Sequence, residues 1–279
     1  MKKNKLLRRL TAALLAAVLA LSIALPVFAS DDGNTIYINS VSDLLSLARN
    51  CAYDQWSVGK TVILQKDLSL EGMLWEPIPS FSGQFKGNGH TISDLTVSGE
   101  YSPAGLFGIV EEQGSIESLS VRGVVSVSDS ADTTTGGIAG INHGTLISCQ
   151  FTGVVTGDSE VGGIVGRNES EGTIDHSTAR AIVTGKSSTG GIAGYNLGAI
   201  TGCTNVGSIN TEYPEASLDT DGFTAKMVDY INNKMAAAND DATNSVTNVA
   251  TDTGGIAGRS SGMIPVSYTH LRAHETSAH

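Results

Sequence analysis

Carboxylates, histidines, arginines and cysteines are the residues of this 279-residue chain that could carry chemistry. A zincin-type peptidase needs His-Glu-x-x-His on one helix. The only His-Glu pair, His274-Glu275, lacks the second histidine. Glycoside hydrolysis needs two carboxylates about 5–10 Å apart across a groove. Glu117 and Asp175 share a position in the repeats described below, but they fall two repeats apart. Arg122, Arg167, Arg180 and Lys186 are scattered, without the carboxylate nest of a calcium-assisted lyase. Asp219-Thr220-Asp221-Gly222 imitates part of a calcium loop. It would put Ser217 at the first ligand position and Val228 at the twelfth, where a bidentate Glu is required. An EF-hand is therefore excluded. His90, in Gly87-Asn88-Gly89-His90-Thr91, reads as a turn-stabilising side chain. Cys51, Cys149 and Cys203 are odd in number and contain no CxxC pair, so a zinc finger is unsupported. The expectation is no catalytic residue, no metal and no cofactor.

The elements that would position these residues come from an internal repeat. Gly136-Gly137-Ile138-Ala139-Gly140 recurs as Gly162-Gly163-Ile164-Val165-Gly166, Gly190-Gly191-Ile192-Ala193-Gly194 and Gly254-Gly255-Ile256-Ala257-Gly258. Ala104-Gly105-Leu106-Phe107-Gly108 is a weaker first copy, and successive copies are 32, 26, 28 and 64 residues apart. Each unit reads as three short β-rich pieces separated by Gly, Asn or Ser turns. Such a unit cannot bury its own apolar stripe, so the units must stack. Propeller blades are longer, at about 40–50 residues, and the Leu pattern of leucine-rich repeats is missing. The expected fold is all-β: a single-stranded parallel β-helix, right-handed on chirality grounds.

Alignment of the units gives two columns. Leu119, Cys149, Ser177 and Cys203 should form an inward ladder. Cys149 and Cys203 would then stand two coils apart, about 9.6 Å at the sheet spacing and beyond the roughly 7 Å limit for a disulfide. Free, buried thiols are expected. Asn142, Asn168 and Asn196 each follow the last glycine of a unit by two residues. They are expected to stack as an amide ladder at a turn of left-handed geometry rather than to form a polar binding strip.

Outside the repeats, Val41–Asn50 should be a short helix capping the first coil, with Ser42 or Asp43 as its N-cap. Residues 211–252 form an excursion in which Phe223, Met227, Val228, Ile231 and Met235 follow helical spacing. Residues 1–29 have a basic start (Lys2, Lys3, Lys5, Arg8, Arg9), an apolar run and a Val27-Phe28-Ala29 site, the pattern of a cleaved secretory leader. No transmembrane segment is expected once it is removed. Val266–Thr276 reads as one frame of a transposon-type sequencing adapter, so His270, His274 and His279 are not ligand candidates. The chain is expected to be truncated after Pro265. The expected organisation is thus leader 1–29, cap and first strands 30–80, coils 81–210, helical insertion 211–252, last coil 253–265 and scar 266–279.

Leaving out the five basic residues of the leader and one residue of each sign in the tail, residues 30–265 hold 11 Lys+Arg and 27 Asp+Glu, a net charge of −16. Nucleic acid is an unsuitable partner for so acidic a body.

Phe81–Gly99 (FSGQFKGNGHTISDLTVSG), the AGLFG copy and the GGI[AV]GxNxGxIxxC units resemble the GLUG-repeat region of bacterial cell-surface proteins. Such repeats are found in adhesins and beside the catalytic domain of immunoglobulin-A-cleaving metallopeptidases. The resemblance implies a secreted or surface-displayed bacterial scaffold for adhesion or ligand presentation, with a glycan or a host or matrix protein as its extracellular ligand. It supplies no catalytic residues. An accessory region of a larger secreted enzyme and a passive spacer remain alternative readings.

Overall fold

The computed structural model describes residues 33–53, 55–127, 133–210, 253–265 and 267–269. The leader, the 211–252 insertion and residues 270–279 of the tail lie outside the described residues. The described residues from Thr35 onward form one compact unit.

That unit is a parallel β-solenoid of about six turns. A complete coil uses four strands, as in Thr134–Gly136, Ala139–Asn142, Thr145–Ile147 and Gln150–Thr156. The next coil repeats them as Glu160–Gly162, Val165–Asn168, Thr173–Asp175 and Thr178–Thr184. Among the described residues the strands stack into four parallel sheets of four, six, seven and eight strands. Four strands per coil replace the three pieces expected from sequence. The fourth is only two or three residues long and ends inside the GG dipeptide, where it carries no alternation to read.

The seven- and eight-stranded sheets send rows of apolar side chains inward. In the seven-stranded sheet Val62, Phe85, Ile116, Leu146, Ile174 and Ile200 are register partners and all are buried. In the eight-stranded sheet Val97, Val125, Val155 and Val183 do the same. Full burial of one such side chain is worth roughly 1.5–3 kcal/mol. These rows are therefore the main source of cohesion between coils. Phe81, Phe85 and Phe107 fill the N-terminal interior, with ring centroids 5.4–6.3 Å apart. Buried Trp75 donates its indole N–H to the Leu106 carbonyl at 3.0 Å.

The glycines of the repeat are explained by close approach. A Cβ on Gly136, Gly162 or Gly190 would come within 3.0 Å of the carbonyl oxygen three residues further on. A Cβ on Gly137 would strike the Phe151 ring, and one on Gly191 would strike Asn205. The third glycine meets the backbone of another strand: Gly166 meets Thr134–Thr135, and Gly194 meets Glu160–Val161. The motif is thus the sequence of a corner where two strands turn against a filled interior.

The first strand, Thr35–Ile38, pairs with Thr61–Leu64 and belongs to the seven-stranded sheet. Between them lies α1, Val41–Asn50, with Leu44 and Leu47 buried and packed against the first strand and Ile78–Phe81. Its N-cap is Ser40, not Ser42 or Asp43. Ser40 Oγ accepts from the Asp43 amide at 3.2 Å, and the Asp43 carboxylate reaches back to the Asn39 amide at 2.9 Å. The Asn39 amide is the main cause that holds the Asp43 carboxyl below its usual range. Tyr268–Thr269, within the segment that reads as adapter, pair in parallel with Thr204–Asn205. Such pairing uses backbone groups only and is indifferent to side-chain identity.

Gly137→Ala should lower stability by about 1–3 kcal/mol, the usual cost of overpacking. The measurement is the shift of the urea midpoint, and an unchanged midpoint would contradict the packing of Phe151 on Gly137.

Candidate functional site

The asparagines form a continuous buried ladder. Asn142 Nδ2 donates to Asn168 Oδ1 at 2.7 Å, Asn168 Nδ2 to Asn196 Oδ1 at 2.8 Å, and Asn196 Nδ2 to Ser260 Oγ at 3.2 Å. The same amide groups also donate to the carbonyls of Gly144, Gly172 and Gly198. The three asparagines are the last residues of their strands and have no exposure to solvent. The ladder is therefore a buried bracing element with no surface to offer a ligand. Left-handed backbone is found elsewhere in the coil, at Ser118, Ser148, His176 and Gly202 rather than at the asparagines. The turn demands it one residue after the short strand of the seven-stranded sheet. At its first rung the ladder stops: the register partner of Asn142 is Val110, and Asn142 Oδ1 is buried without a hydrogen bond.

Leu119, Cys149, Ser177 and Cys203 occupy one buried column. Successive backbone bonds run from Gln150 N to Leu119 O, Thr178 N to Cys149 O and Thr204 N to Ser177 O. Ser177 stands between the two thiols: its hydroxyl accepts from the Cys149 amide at 3.1 Å, and its amide donates to Cys203 Sγ at 3.4 Å. All three cysteines are free and buried. Burial pushes the Cys149 thiol up to about 12 and the Cys51 and Cys203 thiols up to about 11. At neutral pH they are protonated and poor nucleophiles, since only the thiolate reacts.

The charged residues weighed for chemistry are not brought together. Glu117 and Asp175 both flank Ile147 in the outward row of the seven-stranded sheet. Asp175 is paired instead with its neighbour His176 at 2.8 Å. His90 Nδ1 lies 3.2 Å from Asp67 Oδ1, while Asp67 also accepts from the Thr91 amide at 2.9 Å. That amide is the first cause that lowers the Asp67 carboxyl, and the arrangement ties a turn to the coil before it. Lys186 pairs with Asp158 at 2.8 Å across neighbouring turns.

One cluster escaped the sequence reading. Arg167, Tyr195 and Arg259 are successive register partners on the six-stranded sheet. Both guanidinium carbons lie 5.5 Å from the Tyr195 ring centroid. Arg167 also holds Glu160 through both carboxylate oxygens, with Nε–Oε2 at 2.6 Å, and has Glu169 at 3.6 Å. The signal was present, because each of the three residues immediately precedes a rung of the ladder (Asn168, Asn196 or Ser260).

These features define a parallel β-solenoid, one coil of which carries a recognised motif. The family model for the GLUG motif matches residues 157–184, one coil of the stack. Halomucin of Haloquadratum walsbyi is 30% identical over 155 residues, covering 51% of this chain and 2% of halomucin. A protein of Evansella cellulosilytica named as a Gly-rich membrane protein is 28% identical over 137 residues, covering 36% of this chain and 16% of that protein. The chain thus spans a small fraction of the curated relatives it matches. Among solved structures, a Bacteroides ovatus protein described as an immunoglobulin A1 protease aligns with a TM-score of 0.40 and 16% identity. That alignment covers 66% of this chain and 79% of the other.

Two outcomes follow. Asn168→Ala, at a rung bonded on both sides, should cost more than Asn142→Ala, at the end of the ladder, with about 1–3 kcal/mol lost for each stranded polar group. Chemical denaturation checks this order, and equal costs would argue against a continuous ladder. Native thiols should resist Ellman's reagent at pH 8 and all react after unfolding. Because the folded-state values lie above the ordinary 9.0, the unfolded chain loses thiol protons first. Stability is therefore full below pH 9 and falls as pH rises toward 11–12. Cys149→Ala/Cys203→Ala should flatten that part of the pH profile relative to the unaltered chain.

Proposed function

We propose that the chain is exported by its leader and works at the cell surface as a non-catalytic β-solenoid for adhesion or ligand presentation. The observation that carries this reading is a straight outward row of polar side chains at fixed register. Thr61, Gln84, Ser115, Thr145 and Thr173 stand side by side along the seven-stranded sheet. A rigid array presents many weak polar contacts with little ordering cost, which suits a repetitive extracellular ligand. Among the described residues no group of three His, Cys, Asp or Glu side chains converges as a metal site, and the buried thiols are poorly placed for nucleophilic work. The GLUG match and a relative named as a membrane protein support a surface location.

The far greater length of both relatives favours one further reading, in which this solenoid is an accessory part of a larger surface protein. The two readings share the same role for the coils. The purified full chain should bind at least one member of a panel of immobilised glycans and matrix glycoproteins saturably. It should leave casein, immunoglobulin A and polysaccharide substrates uncleaved. Cleavage of any of them would overturn the non-catalytic reading, and failure to bind across the panel would leave only a spacer.

A further inference from the structure

The outward face of the eight-stranded sheet carries an arginine row that the fold does not use. Arg122, Thr152 and Arg180 are successive register partners on the adjacent strands Ser120–Val127, Gln150–Thr156 and Thr178–Thr184. Arg122 and Arg180 are exposed. Among the described residues neither forms an ion pair, whereas Arg167 is held by Glu160 and both Arg167 and Arg259 lie against Tyr195. Asp67, on a neighbouring turn, is bonded to His90 and Thr91. Two residues upstream runs a parallel row of hydrogen-bonding side chains, Ser120, Gln150 and Thr178.

We propose that this strip, on a different sheet from the polar row described above, binds a carboxylated polysaccharide lying along the solenoid axis, a reading that rests on the proposed adhesive function and adds to it a second contact face with its ligand class. The two guanidinium groups are rooted two rungs apart, about 9.6 Å at the sheet spacing. That interval suits a stiff polyuronate with a carboxylate on every sugar, the two forks taking carboxylates two sugars apart, each through two parallel N–H bonds. The upstream row faces the sugar hydroxyls. A nucleic acid fits poorly, because its phosphates recur about every 3.4 Å along a strand and demand a dense basic surface. The net charge of −16 on residues 30–265 opposes any polyanion. At physiological salt, however, exposed charges further away than about 8 Å are largely screened, so the local arginines decide.

The test is a titration of the purified full chain with polygalacturonate and with its fully methyl-esterified form, which keeps the sugar backbone and removes the charge. The unaltered chain should bind the acid form, weaken as salt rises, and ignore the ester. Arg122→Ser/Arg180→Ser should weaken binding about tenfold or more. Arg49→Ser/Lys186→Ser makes the same change in net charge away from both outward rows and should leave binding within about twofold. Equal binding of acid and ester by the unaltered chain overturns the proposal without any variant. So does an equal loss in the Arg49/Lys186 control, or no binding of polygalacturonate at all. If polygalacturonate fails while a neutral glycan or matrix protein still binds, the adhesive function stands and only the arginine strip is refuted.

Discussion

A coil of some 26 residues encloses a single layer of side chains, and what closes that layer above and below is the coil on either side. The backbone hydrogen bonds that join coils are parallel and evenly spaced, so they form only if each coil returns to the same register. That constraint governs the rest of the molecule. It puts identical positions into columns while the turns absorb differences in repeat length, and it turns every substitution into a change within a column. It also explains why the corners are glycine: at Gly136, Gly162 and Gly190 the chain bends back on its own carbonyl groups so tightly that no Cβ fits.

Columns with an inward direction differ in what they contribute. The aliphatic rows of the seven- and eight-stranded sheets supply cohesion without direction. The asparagine ladder adds direction, because each amide must offer a donor to the next coil and an acceptor to the previous one. A coil displaced by one residue would break the amide–amide bonds between coils and leave the Asn168 and Asn196 side-chain oxygens buried without donors. The ladder therefore acts chiefly against misregister, and the valine at position 110 marks where that specification ends. Outward columns are released from packing and are free to carry function.

Much of this was legible in the chain. The GGI[AV]G period implied stacking, stacking implied a parallel solenoid, and alignment placed Cys149, Ser177 and Cys203 in one column without any coordinates. The errors share a cause. The fourth strand of each coil was missed because two or three residues have no alternation to detect. The helix cap was set two or three residues late because Ser42 and Asp43 also suit the first turn, and only backbone geometry distinguishes Ser40. Left-handed geometry was assigned to the asparagines from residue preference, yet it falls on Ser118, Ser148 and His176, where the turn needs it. The Arg167–Tyr195–Arg259 stack depends on neighbours in adjacent coils, which local pattern does not display.

The central claim is that coils stack in fixed register from the first rungs to the last. Spin labels on Thr61 and Ala199, both outward in one row of the seven-stranded sheet and five rungs apart, test it directly by pulsed dipolar spectroscopy. The buried cysteines should stay unlabelled. Stacking in fixed register gives one narrow distance distribution centred on a backbone separation of about 24 Å, plus the label linkers. A broad distribution, or a mean well away from that value, would contradict it.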